Sequence, residues 1–248
     1  IYVINNEKEL SSLTDNDFER IKDLTIKFEG VINNSTSIIE TILKTEEIRE
    51  LNLDFSDFGG NIVWEKIRDI LQGILSTLSP TVKKLSIDFY GLGIIEDKTV
   101  TEIAKYFEKL SKVEELSLDF GLCVNISDEG IKNLVSNISY LTDLKKLSLS
   151  FKGDSHVSNY GIVNLKDSIK KISSLTQLRL NFDNCSKITN EGLKKIQEII
   201  VSQLRLESVD LSFAGCFQIS DMGFSNLVAS LGSSMIPIKE IKLNLDQC

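Results

Sequence analysis

Large apolar residues alternate with polar ones in eight short stretches: Leu24/Ile26/Phe28, Leu51/Leu53/Phe55, Leu85/Ile87/Phe89, Leu116/Leu118/Phe120, Leu147/Leu149/Phe151, Leu178/Leu180/Phe182, Val209/Leu211/Phe213 and Ile241/Leu243/Leu245. A period of 2 is that of a β-strand, so the three side chains of each set share one face. The first residues of successive sets are 27, 34, 31, 31, 31, 31 and 32 residues apart. After the strands, apolar residues recur at helical spacing, as in Ile131, Leu134, Ile138 and Leu141, and again in Ile162, Leu165, Ile169 and Ile172. The unit is therefore strand, turn, helix, turn. A period of this length predicts a solenoid. Each rung buries three side chains worth ~1.5–3 kcal/mol apiece. One rung cannot offset its own ordering entropy, so neighbours must stack.

A second pattern follows the strand. Ile126-Ser127-Asp128-Glu129-Gly130, Val157-Ser158-Asn159-Tyr160-Gly161, Ile188-Thr189-Asn190-Glu191-Gly192 and Ile219-Ser220-Asp221-Met222-Gly223 occupy equivalent places. A Ser/Thr-Asx pair marks a helix N-terminus, where a side-chain oxygen accepts from an orphaned backbone N–H. Gly inside a first helical turn costs ~1 kcal/mol against Ala. Its recurrence points to close approach by the neighbouring repeat. Cys123, Cys185, Cys216 and Cys248 also keep register, seven residues after the first strand residue of their repeats. Phe58 and Leu92 stand at this place in two other repeats and suit a buried site, whereas Asp154 does not and implies a different turn.

The combined pattern L-x-x-L-x-L-x-F-x-x-C-x-x-I-[ST]-[DN]-x-G resembles leucine-rich repeats of the long, ribonuclease-inhibitor-like and cysteine-containing kinds, the latter as in F-box proteins. The resemblance covers about residues 21–248. It departs from the usual repeat in placing the Cys two residues later, after an added Phe. It implies an α/β leucine-rich-repeat solenoid, a horseshoe with about eight parallel strands on the concave face and helices on the convex face. Residues 1–20 form an N-terminal flank or cap, with Ile1–Ile4 readable as a short strand or the remnant of an earlier rung and a short helix expected over Asn6–Leu13. Repeats follow at 21–47, 48–81, 82–112, 113–143, 144–174, 175–205, 206–237 and, in part, 238–248. Helices are expected at Thr36–Lys44 and Ile62–Leu78. The chain stops at the ladder residue Cys248 with no polar cap. This implies a longer protein, with further repeats or another chain packing on the C-terminal rung.

Net charge is −8, which disfavours nucleic acid as a partner because phosphate binding relies on Lys and Arg. No apolar run approaches the ~20 residues of a membrane span, and no signal peptide is visible. One cysteine per rung at one depth reads as a buried ladder of thiols offering weak donors to the turn. It suggests an intracellular, cytoplasmic or nuclear protein rather than a disulfide framework. Paired C-x-x-C spacing is missing, so no zinc site is implied.

Function is expected on the concave face, where the residues between the buried apolars point outward. Its central column reads Asp54, Asp88, Asp119, Ser150, Asn181, Ser212 and Asn244, with Tyr90 beside it as a candidate anchor. Three carboxylates on consecutive rungs repel one another, and a basic protein partner would relieve that. A flat open row cannot wrap a cation with six or more oxygens, so neither metal nor cofactor is implied. His156 is the only histidine, and with no second histidine or strained nucleophile a catalytic triad is not indicated. The Gly59-Gly60 turn lacks the G-K-[ST] of a phosphate loop. Trp64, on a helix beside Ile62 and Ile67, reads as packing more readily than as an anchor. The reading is a non-catalytic protein-binding scaffold. The resemblance adds two alternatives, the substrate-receptor region of an F-box ubiquitin ligase and a regulator of a GTPase or other enzyme; fold alone does not choose.

Overall fold

The computed structural model describes residues 2–5, 9, 12–28, 39, 40, 42, 45, 47–57, 64–233 and 236–248. Nine strands form one parallel sheet whose order in space is the order in sequence. They are β1 (Tyr2–Ile4), β2 (Asp23–Lys27), β3 (Glu50–Asp54), β4 (Lys84–Asp88), β5 (Glu115–Asp119), β6 (Lys146–Ser150), β7 (Gln177–Asn181), β8 (Ser208–Ser212) and β9 (Glu240–Asn244). The count exceeds the expected eight because Tyr2–Ile4 pairs in parallel with β2. Its partner residues are Leu24 to Ile26, so the flank contributes a rung of its own. The helices that lie within the described residues are α1 (Asp15–Phe18), α2 (Trp64–Thr77), α3 (Asp97–Ala104, running on as a 3-10 turn over Lys105–Lys109), α4 (Asp128–Ile138), α5 (Asn159–Ile169), α6 (Asn190–Ser202) and α7 (Asp221–Ser233). From α3 onward each helix packs beside the next. This is the α/β leucine-rich-repeat horseshoe that the pattern predicts. The helix expected over Ile62–Leu78 is α2. Phe58, Gly59-Gly60 and most of the helices expected at Asn6–Leu13 and Thr36–Lys44 lie outside the described residues.

The core lies between sheet and helices. Leu85, Leu116, Leu147 and Leu178 are consecutive cross-strand partners, and all are buried. The third apolar position makes a continuous spine of phenylalanine rings, Phe28, Phe55, Phe89, Phe120, Phe151, Phe182 and Phe213. Successive ring centroids are 4.2 to 5.9 Å apart and the planes lie within 20° of parallel. The spacing between neighbouring strands, ~4.8 Å, is what brings identical rings into stacking range.

The cysteine positions form the expected ladder. Cys123, Cys185 and Cys216 are buried, and each Sγ donates to the carbonyl of Phe89, Phe151 or Phe182 on the preceding rung at 3.1–3.2 Å. Burial pushes the Cys123 and Cys216 thiols up to about 12. All four cysteines are free. At Asp154 the turn does differ, as expected, but only in part, and the side chain is buried all the same. Its carboxyl is buried, 1% exposed, and the first half of its turn is the usual one, with Asp154 N–H donating to Phe151 at 3.3 Å. What differs is the second half, where Oδ1 accepts from His156 N–H at 2.9 Å. Oδ2 is buried with no hydrogen-bond partner.

The Ser/Thr-Asx pair does more than cap. Ser127, Ser158 and Thr189 each accept from the N–H two residues on, closing their own helix. The Asx residue reaches forward to the next repeat. Asp97 accepts from Ser127 N–H at 2.7 Å and Oγ–H at 2.5 Å, and Asp128 does the same for Ser158 at 2.8 and 2.5 Å. Where the residue is Asn the hydroxyl accepts instead: Asn159 Nδ2 donates to Thr189 Oγ1 and Asn190 Nδ2 to Ser220 Oγ, both at 2.9 Å. A hydroxyl can play either part, which is why Asp and Asn interchange here. The recurring Gly is the space this ladder needs. A Cβ on Gly192 would sit 2.6 Å from Asn159 Oδ1 and 2.9 Å from Ile188 Cγ2.

Two outcomes are expected. Gly192→Val overpacks this contact and should cost ~1–3 kcal/mol in denaturant unfolding, against ~0.5 kcal/mol or less for Ser186→Val on the exposed turn; equal losses contradict the close approach. Burial also raises the Asp154 carboxyl above its ordinary value, against the opposing pull of the His156 N–H. The folded chain therefore holds this proton to higher pH than the unfolded chain does. The contribution to stability is full below the ordinary carboxylate range and is lost as pH rises through the raised value. Asp154→Cys, restoring the ladder, should stabilise by ~1–3 kcal/mol near neutral pH and by less in acid, read as paired thermal melts.

Candidate functional site

The concave face is built from the outward residues of β2 to β9, which the unshifted register sorts into columns. Asp54, Asp88, Asp119, Ser150, Asn181, Ser212 and Asn244 are successive partners. The structure thus brings the predicted site residues together in one line, with Tyr90 two residues beyond Asp88. The acidic members lie at the C-terminal ends of their strands, and their carboxylates turn toward the following backbone. Asp54 Oδ1 accepts from Ser56 N–H at 3.0 Å and Ser56 Oγ–H at 2.7 Å. Asp88 Oδ1 accepts from Tyr90 N–H at 2.8 Å, and Asp119 Oδ1 from Gly121 N–H at 2.7 Å. Asn181 and Asn244 make the same bond, to Asp183 and Asp246 N–H at 2.9 and 3.2 Å. These are Asx turns, a local preference of Asp and Asn. Ser212 is too short to do this for Ala214. Asp183, from the neighbouring rung, accepts from both Ser212 Oγ–H and Ala214 N–H, at 2.5 and 2.8 Å.

Charge accumulates in this column. Asp88, half-buried, is raised above the ordinary carboxylate value, first by desolvation and then by the charges of Asp119, Asp54 and Asp57, against the Tyr90 N–H. The column's one basic member is Lys27 of β2, the register partner of Asp54, and none follows beside Asp88 or Asp119. The column at the strand starts behaves differently. Glu50, Lys84, Glu115 and Lys146 are successive partners of alternating sign. Lys84 lies 3.5 Å from Glu50 and 3.8 Å from Glu115, and Lys146 lies 3.0 Å from Glu115. Glu115 and then Glu50 raise the Lys84 ammonium. In the next outward column, two residues along, Arg179 holds its register partner Asp210 through Nε at 2.8 Å. Sequence reasoning missed the self-neutralising strand-start column because it took as outward only the residues between the buried apolars, which begin two residues later. The signal was present as the repeat-spaced alternation of Glu and Lys.

A hollow of ≈ 490 Å³ lies over the strand starts, lined by Lys84, Ser86, Ser117, Lys146, Ser148 and Arg179 among others. The acidic column borders it without lining it. The other residues singled out from sequence have structural surroundings. Trp64 packs on the core and donates Nε1–H to Glu102 at 3.0 Å. His156 Nδ1 lies 2.9 Å from the Val124 carbonyl and 3.7 Å from Asp154. Among the described residues no group of three or more His, Cys, Asp or Glu could hold a metal ion. No helix among them is long and apolar enough to cross a membrane.

No protein-family model matches the chain, and no curated protein matches it. Among solved structures, it is similar to the C-terminal domain of tropomodulin from Caenorhabditis elegans, at 13% identity and TM-score 0.49, covering 81% of this chain and 100% of that one. It is similar to actin-binding site 2 of leiomodin-1, at 13% identity and TM-score 0.46, covering 69% and 90%. It is also similar to internalin C2 from Listeria monocytogenes, at 17% identity and TM-score 0.44, covering 93% and 84%.

The Asx turns lead to an expected outcome for stability. Asp119→Ala leaves Gly121 N–H without its side-chain acceptor and should cost ~0.5–1.5 kcal/mol by denaturant unfolding. Asp119→Asn should be near neutral, since Asn181 and Asn244 make the same turn on other rungs.

Proposed function

We propose that the protein is a non-catalytic scaffold that binds another protein on its concave face, through the acidic column of Asp54, Asp88 and Asp119, and that the bound surface is basic. The observation that carries the reading is the contrast between the two columns. The strand starts neutralise themselves with Lys84 and Lys146, whereas the three carboxylates face one another in register and continue into Ser150 and Asn181. Lys27 stands beside Asp54 only, and a lysine or arginine from a partner supplies the cation that Asp88 and Asp119 lack. A rigid sheet suits this, because its columns need no reordering on binding. Four free thiols, three of them buried, support an intracellular setting. The regular 31-residue register, read with the strand-turn-helix unit, supports the ribonuclease-inhibitor-like kind of repeat.

The test is a triple variant, Asp54→Asn, Asp88→Asn and Asp119→Asn, which keeps the Asx turns and removes the charge. Affinity for the protein captured from a native lysate should fall at least about tenfold. Its salt dependence should weaken with it, at unchanged melting temperature. Undiminished, equally salt-sensitive binding overturns the reading.

A further inference from the structure

Each turn that follows β4 to β9 has one residue in the left-handed region. Its members are Gly91 (φ 77°), Leu122 (60°), Gly153 (79°), Asn184 (60°), Gly215 (73°) and Gln247 (61°). In the turns after β4 to β7 this residue's N–H donates to the next rung. Gly91 donates to Gly121, Leu122 to Lys152, Gly153 to Asp183 and Asn184 to Ala214, at 2.6–2.8 Å. Glycine and asparagine adopt it readily, whereas a leucine there is strained. Leu122 is nevertheless 40% exposed, so burial does not repay the strain. Strain retained at an exposed apolar residue points to a use outside the fold.

The surroundings say what use. Tyr90 and Val124 are also exposed, at 37% and 43%. Tyr90 leans its ring across Gly121, where a Cβ would meet Cδ2 at 2.8 Å. Leu122 lies across Gly153, where a Cβ would meet its Cδ2 at 2.5 Å. The two glycines thus leave room for two apolar side chains stepping along the rim over adjacent rungs. The patch borders the acidic column directly. Asp88 and Asp119 hold the turns beneath Tyr90 and Gly121, and the Asp119 carboxylate lies beside the Tyr90 ring. Lys152, on the following rung, sets the other edge.

We infer that Tyr90, Leu122 and Val124 form an apolar anchor site on the rim that takes one hydrophobic side chain from a linear segment of the partner, with a lysine or arginine beside it directed to Asp88 and Asp119. The inference rests on the concave-face reading above and specifies the partner's chemistry. The basic residue lies on the β4–β5 side, away from Lys152. Aromatic and aliphatic anchors ringed by charge are the usual makeup of an interface centre.

The test is selection of random linear peptides displayed on phage against the full chain, followed by affinity measurement of the enriched peptides as free synthetic peptides. Enriched sequences should pair a large apolar residue with lysine or arginine. Leu122→Gly should lower their affinity at least about tenfold while raising, or leaving unchanged, the melting temperature, since it removes the left-handed leucine. Unfolding therefore cannot account for the loss. Affinity unchanged by Leu122→Gly but lost in the triple Asn variant overturns the rim anchor and leaves the acidic column standing. Affinity lost in Leu122→Gly but kept in the triple Asn variant, with no basic residue among the peptides, overturns the basic flank and the acidic-column reading with it. Enrichment of no peptide overturns the linear-segment partner while leaving a folded basic partner for the concave face.

Discussion

A repeat in this chain does not satisfy its own backbone. As each strand ends, the N–H of its phenylalanine donates to the strand beyond: Phe89 to Asp119, Phe120 to Ser150, Phe151 to Asn181 and Phe182 to Ser212, at 2.8–2.9 Å. An unpaired buried N–H is costly, so the next rung has to be there. Everything periodic in the sequence follows from that dependence. The phenylalanines stack because the ladder holds them one strand apart. The thiols point at the preceding rung's carbonyl, and the Asx residues at helix starts reach into the following rung's cap. Each repeat thus contacts its neighbours through sheet, spine, thiol and cap together, and coupling is between nearest neighbours.

The same register makes the surface. A position that recurs every 31 residues becomes a straight column of side chains on the concave face. Two such columns differ in kind. One alternates Glu and Lys and closes on itself, which lends rigidity and leaves little for a partner. The other gathers carboxylates that are tied to the backbone at one oxygen, with Lys27 beside Asp54 and no cation beside Asp88 or Asp119 in the column. Asp in this column therefore serves fold and surface at once. Asn preserves the first role and removes the second, which separates structural from electrostatic effects.

Most of the architecture was legible because it is written many times over. Period-2 triplets, the helix spacing and the Ser/Thr-Asx-x-Gly signal each recur, and the predicted column is a true column because no rung slips in register. What sequence could not show lies in how repeats touch. That Asp128 reaches Ser158, or that Asp183 serves Ala214 where Ser212 falls short, depends on side chains a repeat apart in sequence and adjacent in space. Tyr2–Ile4 was ambiguous because so short a segment carries little alternation. Asp154 was read half rightly: the second half of its turn does change, through the His156 N–H, whereas the rung-to-rung ladder held the first half and buried the carboxyl. Leu122 was missed although a signal was present, since Gly91, Gly153, Asn184 and Gly215 hold the same place at 31-residue spacing and mark it as a left-handed site.

The nearest-neighbour dependence of rungs is tested most directly by amide hydrogen exchange on Phe151→Ala. That substitution removes one ring from the middle of the spine, at a cost of ~3–5 kcal/mol. Protection should fall most in β5, β6 and β7 and recover progressively toward both ends of the sheet. A fall confined to β6, with β5 and β7 as protected as before, would contradict the account, because it would mean that each repeat holds itself.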